Sequence, residues 1–219
     1  MLQARYKNKS QSEDLKTSSI LGSLLLLPDD LLWELLVKSC CGGTEKLPDV
    51  AGVLDSFEFW PRWNADNTTN LKYVEPDLFL RFSNFDVIVE VKQFDGNGQY
   101  YEQWENEICS YFNEYGSVKD VYFIALGGNG NKKPSIVRSV PVYRCSWLSL
   151  LASVSGCLDR LDRIDDADCH TSSCRRILGN VMLSFKLNGM FYLEWFDSFV
   201  VKEEICRDSI NVIKSIFGK

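Results

Sequence analysis

Three side chains have the types and spacing for phosphodiester chemistry: Asp77, in Pro76-Asp77, and the acid and base of Glu90-Val91-Lys92. Side chains alternate along a strand, so Glu90 and Lys92 share a face if residues 86–93 are extended. Asp77 and Glu90 lie equally far from a turn at Ser83-Asn84. A hairpin of strands 73–82 and 86–93 therefore sets the two acids side by side. Two converging carboxylates suit Mg²⁺ (or Mn²⁺), which takes few carboxylate oxygens and keeps several waters. Such an ion polarises a phosphate and lowers the pKa of a bound water; Lys92 is placed to orient that water or to stabilise charge on the phosphoryl oxygens. The competing reading is an ion pair between Glu90 and Lys92 on an exposed sheet face. Glu75 and Asp77 would then crowd Glu90 with like charge, which is costly without a cation.

The elements that must position these residues follow from pattern. Leu31, Leu32, Leu35 and Leu36 repeat at helical spacing after Pro28-Asp29-Asp30, and Cys41-Gly42-Gly43 ends that helix. Residues 54–63 alternate and are rich in aromatics, as a strand would be, and 64–70 is a polar turn. In 86–93, Val87, Val89 and Val91 take one face, leaving Ile88, Glu90 and Lys92 on the other. Residues 99–115 form a helix with an apolar stripe of Trp104, Ile108, Tyr111, Phe112 and Tyr115 and a polar face that includes Gln99, Gln103, Asn106 and Glu107. A buried strand follows over 118–126, a flexible loop over 127–134 and one more strand over 137–144. Helical patterns then cover 147–162, 172–187 and 194–217. The mixed order predicts an α/β domain with a small central sheet. It divides into a partly flexible N-terminal segment (1–27), a core (28–144) and a helical C-terminal extension packed on it (145–219).

Pro76-Asp77 with Glu90-Val91-Lys92, on a frame of helix, three strands, helix and strand, resembles the PD-(D/E)XK nuclease superfamily, whose fold is that of the restriction endonucleases. The resemblance covers roughly residues 28–127. It implies a mixed central sheet, with Asp77 and Glu90 holding the metal and Lys92 as the catalytic lysine. It also implies an acid on the first helix, where Glu34 stands, and a polar residue on the second helix, for which Gln103 is the match. Glu58, among the aromatics of Phe57-Glu58-Phe59-Trp60, is either a further metal ligand or a solvated strand residue. The activity implied is that of a hydrolase, a divalent-metal-dependent nuclease with DNA as the favoured substrate; an RNA-directed nuclease is a third reading, since nothing in the sequence senses a 2′-hydroxyl. Small stand-alone bacterial members serve restriction, phage defence or repair.

Composition bounds these expectations. The 219 residues are 45% hydrophobic and 25% charged, enough for a real core and not a disordered composition. The net charge of −6 is awkward for a nucleic-acid binder, because phosphate affinity comes largely from Lys and Arg. It favours an alternative: a non-catalytic subunit or regulator that keeps the nuclease fold, with a protein partner or a homodimer contacting the C-terminal helices. The apolar run 20–27 is too short to span a bilayer, and no targeting segment is evident, so a cytoplasmic protein with reduced thiols at its eight cysteines is expected. Cys157, Cys169, His170 and Cys174 are too irregularly spaced to read as a zinc site. Gly127-Gly128-Asn129-Gly130 lacks the ending of a phosphate loop and reads as a surface loop. Arg138, Arg160, Arg163, Arg175 and Arg176, with Lys132 and Lys133, could rim a cleft, but the interleaved acids favour solvated ion pairs.

Overall fold

The computed structural model describes residues 11–130, 136–165 and 168–191. Two helices open the chain, α1 (Gln11–Leu24) and α2 (Asp29–Ser39), followed by β1 (Cys40–Gly42), β2 (Leu54–Phe59) and β3 (Trp63–Asn64). Next come β4 (Tyr73–Val74), β5 (Leu78–Phe82), β6 (Phe85–Val91) and helix α3 (Tyr101–Tyr115). The strands β7 (Asp120–Leu126), β8 (Ile136–Val137) and β9 (Val140–Cys145) lead to α4 (Trp147–Asp162) and α5 (Cys169–Leu187). The architecture is α/β, with a main sheet in the order β1-β9-β7-β6-β5-β2, β8 pairing with β9, and a separate β3–β4 ribbon. The sheet is mixed: β6, β7 and β9 run parallel to one another, while β5 pairs antiparallel with both β2 and β6, and β1 antiparallel with β9.

Strand β6 organises the molecule. All seven of its residues are buried, as a strand covered on both faces must be. Val87, Val89 and Val91 face a core built with Leu21 and Leu24 of α1, Trp33 of α2, Leu150 of α4 and Leu178 of α5. Ile88 faces a second core with Phe79, Trp104, Ile108 and Tyr111, covered by α3. The alternation in the sequence therefore sorts onto two distinct layers. Glu90 sits on the α3 side, and α3 is the crossover between the parallel strands β6 and β7. The carboxyl ends of such strands are where open α/β sheets place their ligands.

Several elements depart from the sequence pattern for local reasons. The run 73–82 is split, because Pro76 has no N–H for a ladder. The run 54–63 stops at Phe59, where Trp60 turns to φ 52° ahead of Pro61. The run 137–144 is a hairpin in which Val137 pairs with Val140. Its two-residue turn holds Arg138 and Ser139 at φ 45° and 70°, the left-handed conformation that tight hairpins demand. The segment before Pro28 is not a loose lead-in over its described part: it forms α1, whose Ile20, Leu21 and Leu24 are in the core and which packs against α5. Helix α4 starts on a reciprocal capping box between Ser146 and Ser149. The Asp95 carboxylate also accepts the N–H groups of Trp147 and Leu148 at 2.7 and 3.2 Å. The helix expected over 194–217, and Lys132 and Lys133, lie outside the described residues.

Candidate active site

Register brings the three signal residues together. In the β5–β6 hairpin Leu78 pairs with Val89 and Phe79 with Ile88, so the next step along the ladder sets Asp77 against Glu90. Asp77 stands just outside β5, and its carboxylate takes over the ladder: Oδ2 accepts the N–H of Val91 at 2.7 Å and Oδ1 accepts the indole N–H of Trp60 at 3.2 Å. Glu90, 2% exposed, accepts from the Lys92 ammonium and, at 2.6 Å, from the Gln103 amide. Gln103 and Glu107 lie four residues apart on α3 and so share a helix face. That face is buried rather than solvated: Glu107 is 1% exposed and its carboxyl interacts with those of Glu90 and Asp77.

The backbone that carries Lys92 is held on every side. Its N–H donates to Leu126 at 2.8 Å and its carbonyl accepts from the Trp147 indole at 2.7 Å. Gly127 and Gly128 press directly on it. A Cβ on Gly127 would lie 2.5 Å from the Lys92 carbonyl oxygen, and one on Gly128 would lie 2.8 Å from Lys92 Cγ. Both glycines have positive φ, so side-chain size and backbone conformation demand glycine together. The glycine loop is thus the wall that aims Lys92. Gln99 completes it: its side-chain amide, 3% exposed, donates to the Glu90 and Gly127 carbonyls at 3.1 and 3.2 Å, and its Oε1 accepts from the Trp104 indole at 2.7 Å.

The electrostatics are unbalanced. Burial, then the charge of Glu90, pushes the Asp77 carboxyl well above the usual carboxylate range. Burial, then the charge of Glu107, does the same to Glu90. Glu107 is pushed up to about 8, chiefly by burial. Lys92 is subject to burial, which pulls its ammonium down, but Glu90 and then Asp77 outweigh it, and its pKa ends above the ordinary lysine value. Three enclosed acids thus share one lysine, the pattern that marks functional sites more often than structural ones. One oxygen of the cluster, Glu107 Oε2, is buried without a hydrogen-bond partner.

Glu34 and Glu58 are not drawn into this cluster. Helix α2 lies on the valine face of the sheet, opposite Glu90, and Glu34 there receives Arg160 at 2.7 and 3.2 Å and Lys38 at 2.5 Å. Those partners, Arg160 first, hold its carboxyl down at about 2. Glu58 is solvent-exposed on β2 opposite Phe79, and its charge is felt by Tyr115, at the end of α3 away from Gln103. The first-helix acid that does reach the site is Glu13 of α1. Its Oε2 accepts the N–H of Gln93 at 2.7 Å, and its charge acts on Lys92 and Asp77. One turn later Lys16 donates to the Gln93 carbonyl at 2.5 Å and lies 4.1 Å from the Trp147 ring centre. Burial pulls the Lys16 ammonium down to about 8, against the opposing charges of Asp95 and Glu13. Sequence reasoning missed Glu13 and Glu107. Glu107 had a signal, its four-residue spacing from Gln103; Glu13 had none beyond being an acid on a helix.

The donor set is hard oxygen: the Asp77 and Glu90 carboxylates, with Glu107 behind them. Among the described residues no three His, Cys, Asp or Glu side chains stand ready to hold one ion. What the chain offers is a carboxylate pair of the kind that Mg²⁺, retaining its waters, can use. The orphaned oxygen of Glu107 and the excess of buried acid over base fit a cation. Gln103 and Glu107 also line a cleft of about 500 Å³, whose lining does not include Asp77, Glu90 or Lys92. Of the five arginines considered for a rim, three are in ion pairs: Arg160 with Glu34, Arg138 with Glu105 and Arg175 with Asp162. No helix among the described residues is long and apolar enough to cross a membrane. No family model matches the chain, and neither does any curated protein or solved structure.

Proposed function

We propose that this chain is a divalent-metal-dependent nuclease of the PD-(D/E)XK type, hydrolysing phosphodiester bonds, with DNA as the favoured substrate. One observation carries the reading: Asp77, Glu90, Lys92 and Gln103, separated by up to 26 positions in the sequence, meet at the end of one buried strand with acid in excess. The order of α1, the antiparallel strands β2, β5 and β6, the crossover helix α3 and the parallel β7 supports a restriction-endonuclease-like core. Asp77 and Glu90 would hold Mg²⁺ or Mn²⁺, which when bound polarises the scissile phosphate and acidifies a coordinated water. Lys92, which donates to Glu90, would present its positive charge to the phosphoryl oxygens. Gln103 keeps Glu90 oriented, and the Glu107 carboxyl packs behind it. Glu13 fixes the peptide after Lys92.

The test is incubation of plasmid, linear duplex and single strands with Mg²⁺ or Mn²⁺, comparing wild type with Lys92→Ala and Asp77→Ala. Cleavage by wild type and a loss of about 10²-fold or more in each variant is expected; equal cleavage by all three would remove these residues from the mechanism. The net charge of −6 and the closed Glu90–Lys92 pair favour a second reading, a non-catalytic nuclease-fold subunit. Calorimetry separates the two, since the nuclease reading requires Mn²⁺ binding that weakens in Asp77→Asn.

A further inference from the structure

The cleft beside the carboxylates has a lining at odds with a phosphate site. Its residues include Tyr73, Tyr100, Gln103, Asn106 and the acids Glu75 and Glu107, and no lysine or arginine is among them. A phosphate would meet negative charge there, and the neighbouring Arg62 is already paired with Glu75. Flat aromatic faces, amides and carboxylates are what a nucleobase needs instead: stacking surfaces for its ring, and acceptors for its exocyclic amine.

The cleft is built to keep this shape. Asn106 donates to Thr69 Oγ1 at 2.8 Å and accepts the Thr69 N–H at 3.2 Å, tying the loop wall to α3. Arg62 lies 4.7 Å from the Tyr73 ring centre and pairs with Glu75 at 3.3 Å, which fixes that ring. Tyr100 is 64% exposed, although it directly precedes a helix whose other aromatics are mostly packed. Glu107 also lines the cleft, and its carboxyl interacts with Glu90 and Gln103. At about 500 Å³ the space falls within the roughly 300–1,000 Å³ of small-molecule clefts; it admits one nucleotide unit and not a duplex.

We infer that this cleft seats an unstacked nucleobase next to the scissile phosphate, so that the substrate is single-stranded nucleic acid rather than intact duplex. The inference rests on the nuclease reading above and narrows its substrate class. Gln103 links the two halves, since it lines the cleft and also donates to Glu90. A base in the cleft therefore lies one side chain from the Glu90 carboxylate. A base paired inside a helix cannot reach that position without leaving the stack.

The experiment measures binding apart from cleavage. Fluorescence anisotropy in EDTA compares a labelled single strand, the same strand carrying abasic positions and the corresponding duplex, in DNA and RNA arms that identify the sugar. Wild type, Tyr100→Ala and Tyr100→Phe are compared; Tyr100 makes no side-chain cap to α3, so its truncation leaves the helix start intact. The single strand should bind about tenfold more tightly than either the abasic strand or the duplex. Tyr100→Ala should lose about tenfold on the normal strand and nothing on the abasic one, and Tyr100→Phe should restore binding, as stacking predicts. Equal affinity for single strand and duplex, or a Tyr100→Ala loss that persists on the abasic strand, would overturn the inference while metal-dependent cleavage by wild type still upheld the nuclease reading. Absence of both binding and cleavage would overturn the two together.

Discussion

Strand β6 buries a carboxylate at each end of its α3-facing side, and the two are partnered in opposite ways. Asp86, fully buried, meets Lys119 at 3.3 Å, Arg81 at 3.5 Å and the Tyr111 hydroxyl at 3.0 Å: two cations and a donor for one acid. Glu90, four residues on, shares one lysine with Asp77 and Glu107. The Asp86 end is what a structural buried charge looks like, because an enclosed carboxylate without compensation costs several kcal/mol. The Glu90 end leaves that cost partly unmet. Strand, layer and burial are the same, so the imbalance is not something the folding of the strand requires.

Exchanging the charges tests the contrast most directly. Asp86→Ala strands Lys119 and Arg81 and should cost about 3 kcal/mol in denaturant unfolding, with no specific change in Mn²⁺ affinity. Glu90→Gln should cost no more than about 1 kcal/mol, because it relieves like-charge crowding, yet abolish Mn²⁺ binding and cleavage. The contrast breaks if the two variants unfold alike. Gly128→Ala comes next: the added Cβ meets Lys92 Cγ and the Gln99 backbone nitrogen within 3 Å at a φ of 67°. A loss of about 2 kcal/mol and a larger drop in cleavage than in stability would be measured by melting and by turnover.

The pH dependence sharpens the comparison further. Glu107 titrates at about 8 in the folded chain against an ordinary 4.5, so the native state keeps a proton that the unfolded state has released. Stability from this group is fully present below about 4.5 and is lost as pH rises through about 8. The melting temperature should fall over that window, fall less in Glu107→Gln, and recover at the alkaline end when Mn²⁺ is added. The smallest effect belongs to Glu34→Ala. Its ion pairs with Arg160 and Lys38 are solvent-exposed, and such pairs contribute below about 1 kcal/mol; cleavage should be unchanged.

Much of this site is legible in the sequence because hairpins obey simple arithmetic. A turn at Ser83-Asn84 fixes the partner of every residue in β5 and β6, and alternation assigns Glu90 and Ile88 to one layer and the valines to the other. Helix α3 is equally plain in its stripe of Trp104, Ile108 and Tyr111. What sequence pattern could not supply is α1. Thr17, Ser18, Ser19, Gly22 and Ser23 are poor or middling helix formers, and Lys16, Thr17 and Ser18 are buried despite being polar. Tertiary packing makes that helix, so the periodic leucines of α2 stand out instead and direct attention to Glu34. The buried polar side of α3 was hidden for a related reason: Asn106 and Glu107 look solvent-facing until the 64–70 loop and the strand ends close over them.

Helix α1 holds Gln93 by both ends of its peptide, through Glu13 on the N–H and Lys16 on the carbonyl, and it rests on α5. The order of synthesis gives this grip a consequence. Helix α1 is made before either of its docking partners, β6 and then α5, the latter ending at Leu187. The peptide that follows Lys92 is therefore secured among the last events of assembly. A chain released before α5 carries all of Asp77, Glu90 and Lys92 but lacks the seating that holds their strand end still, which delays competence until α5 has been made.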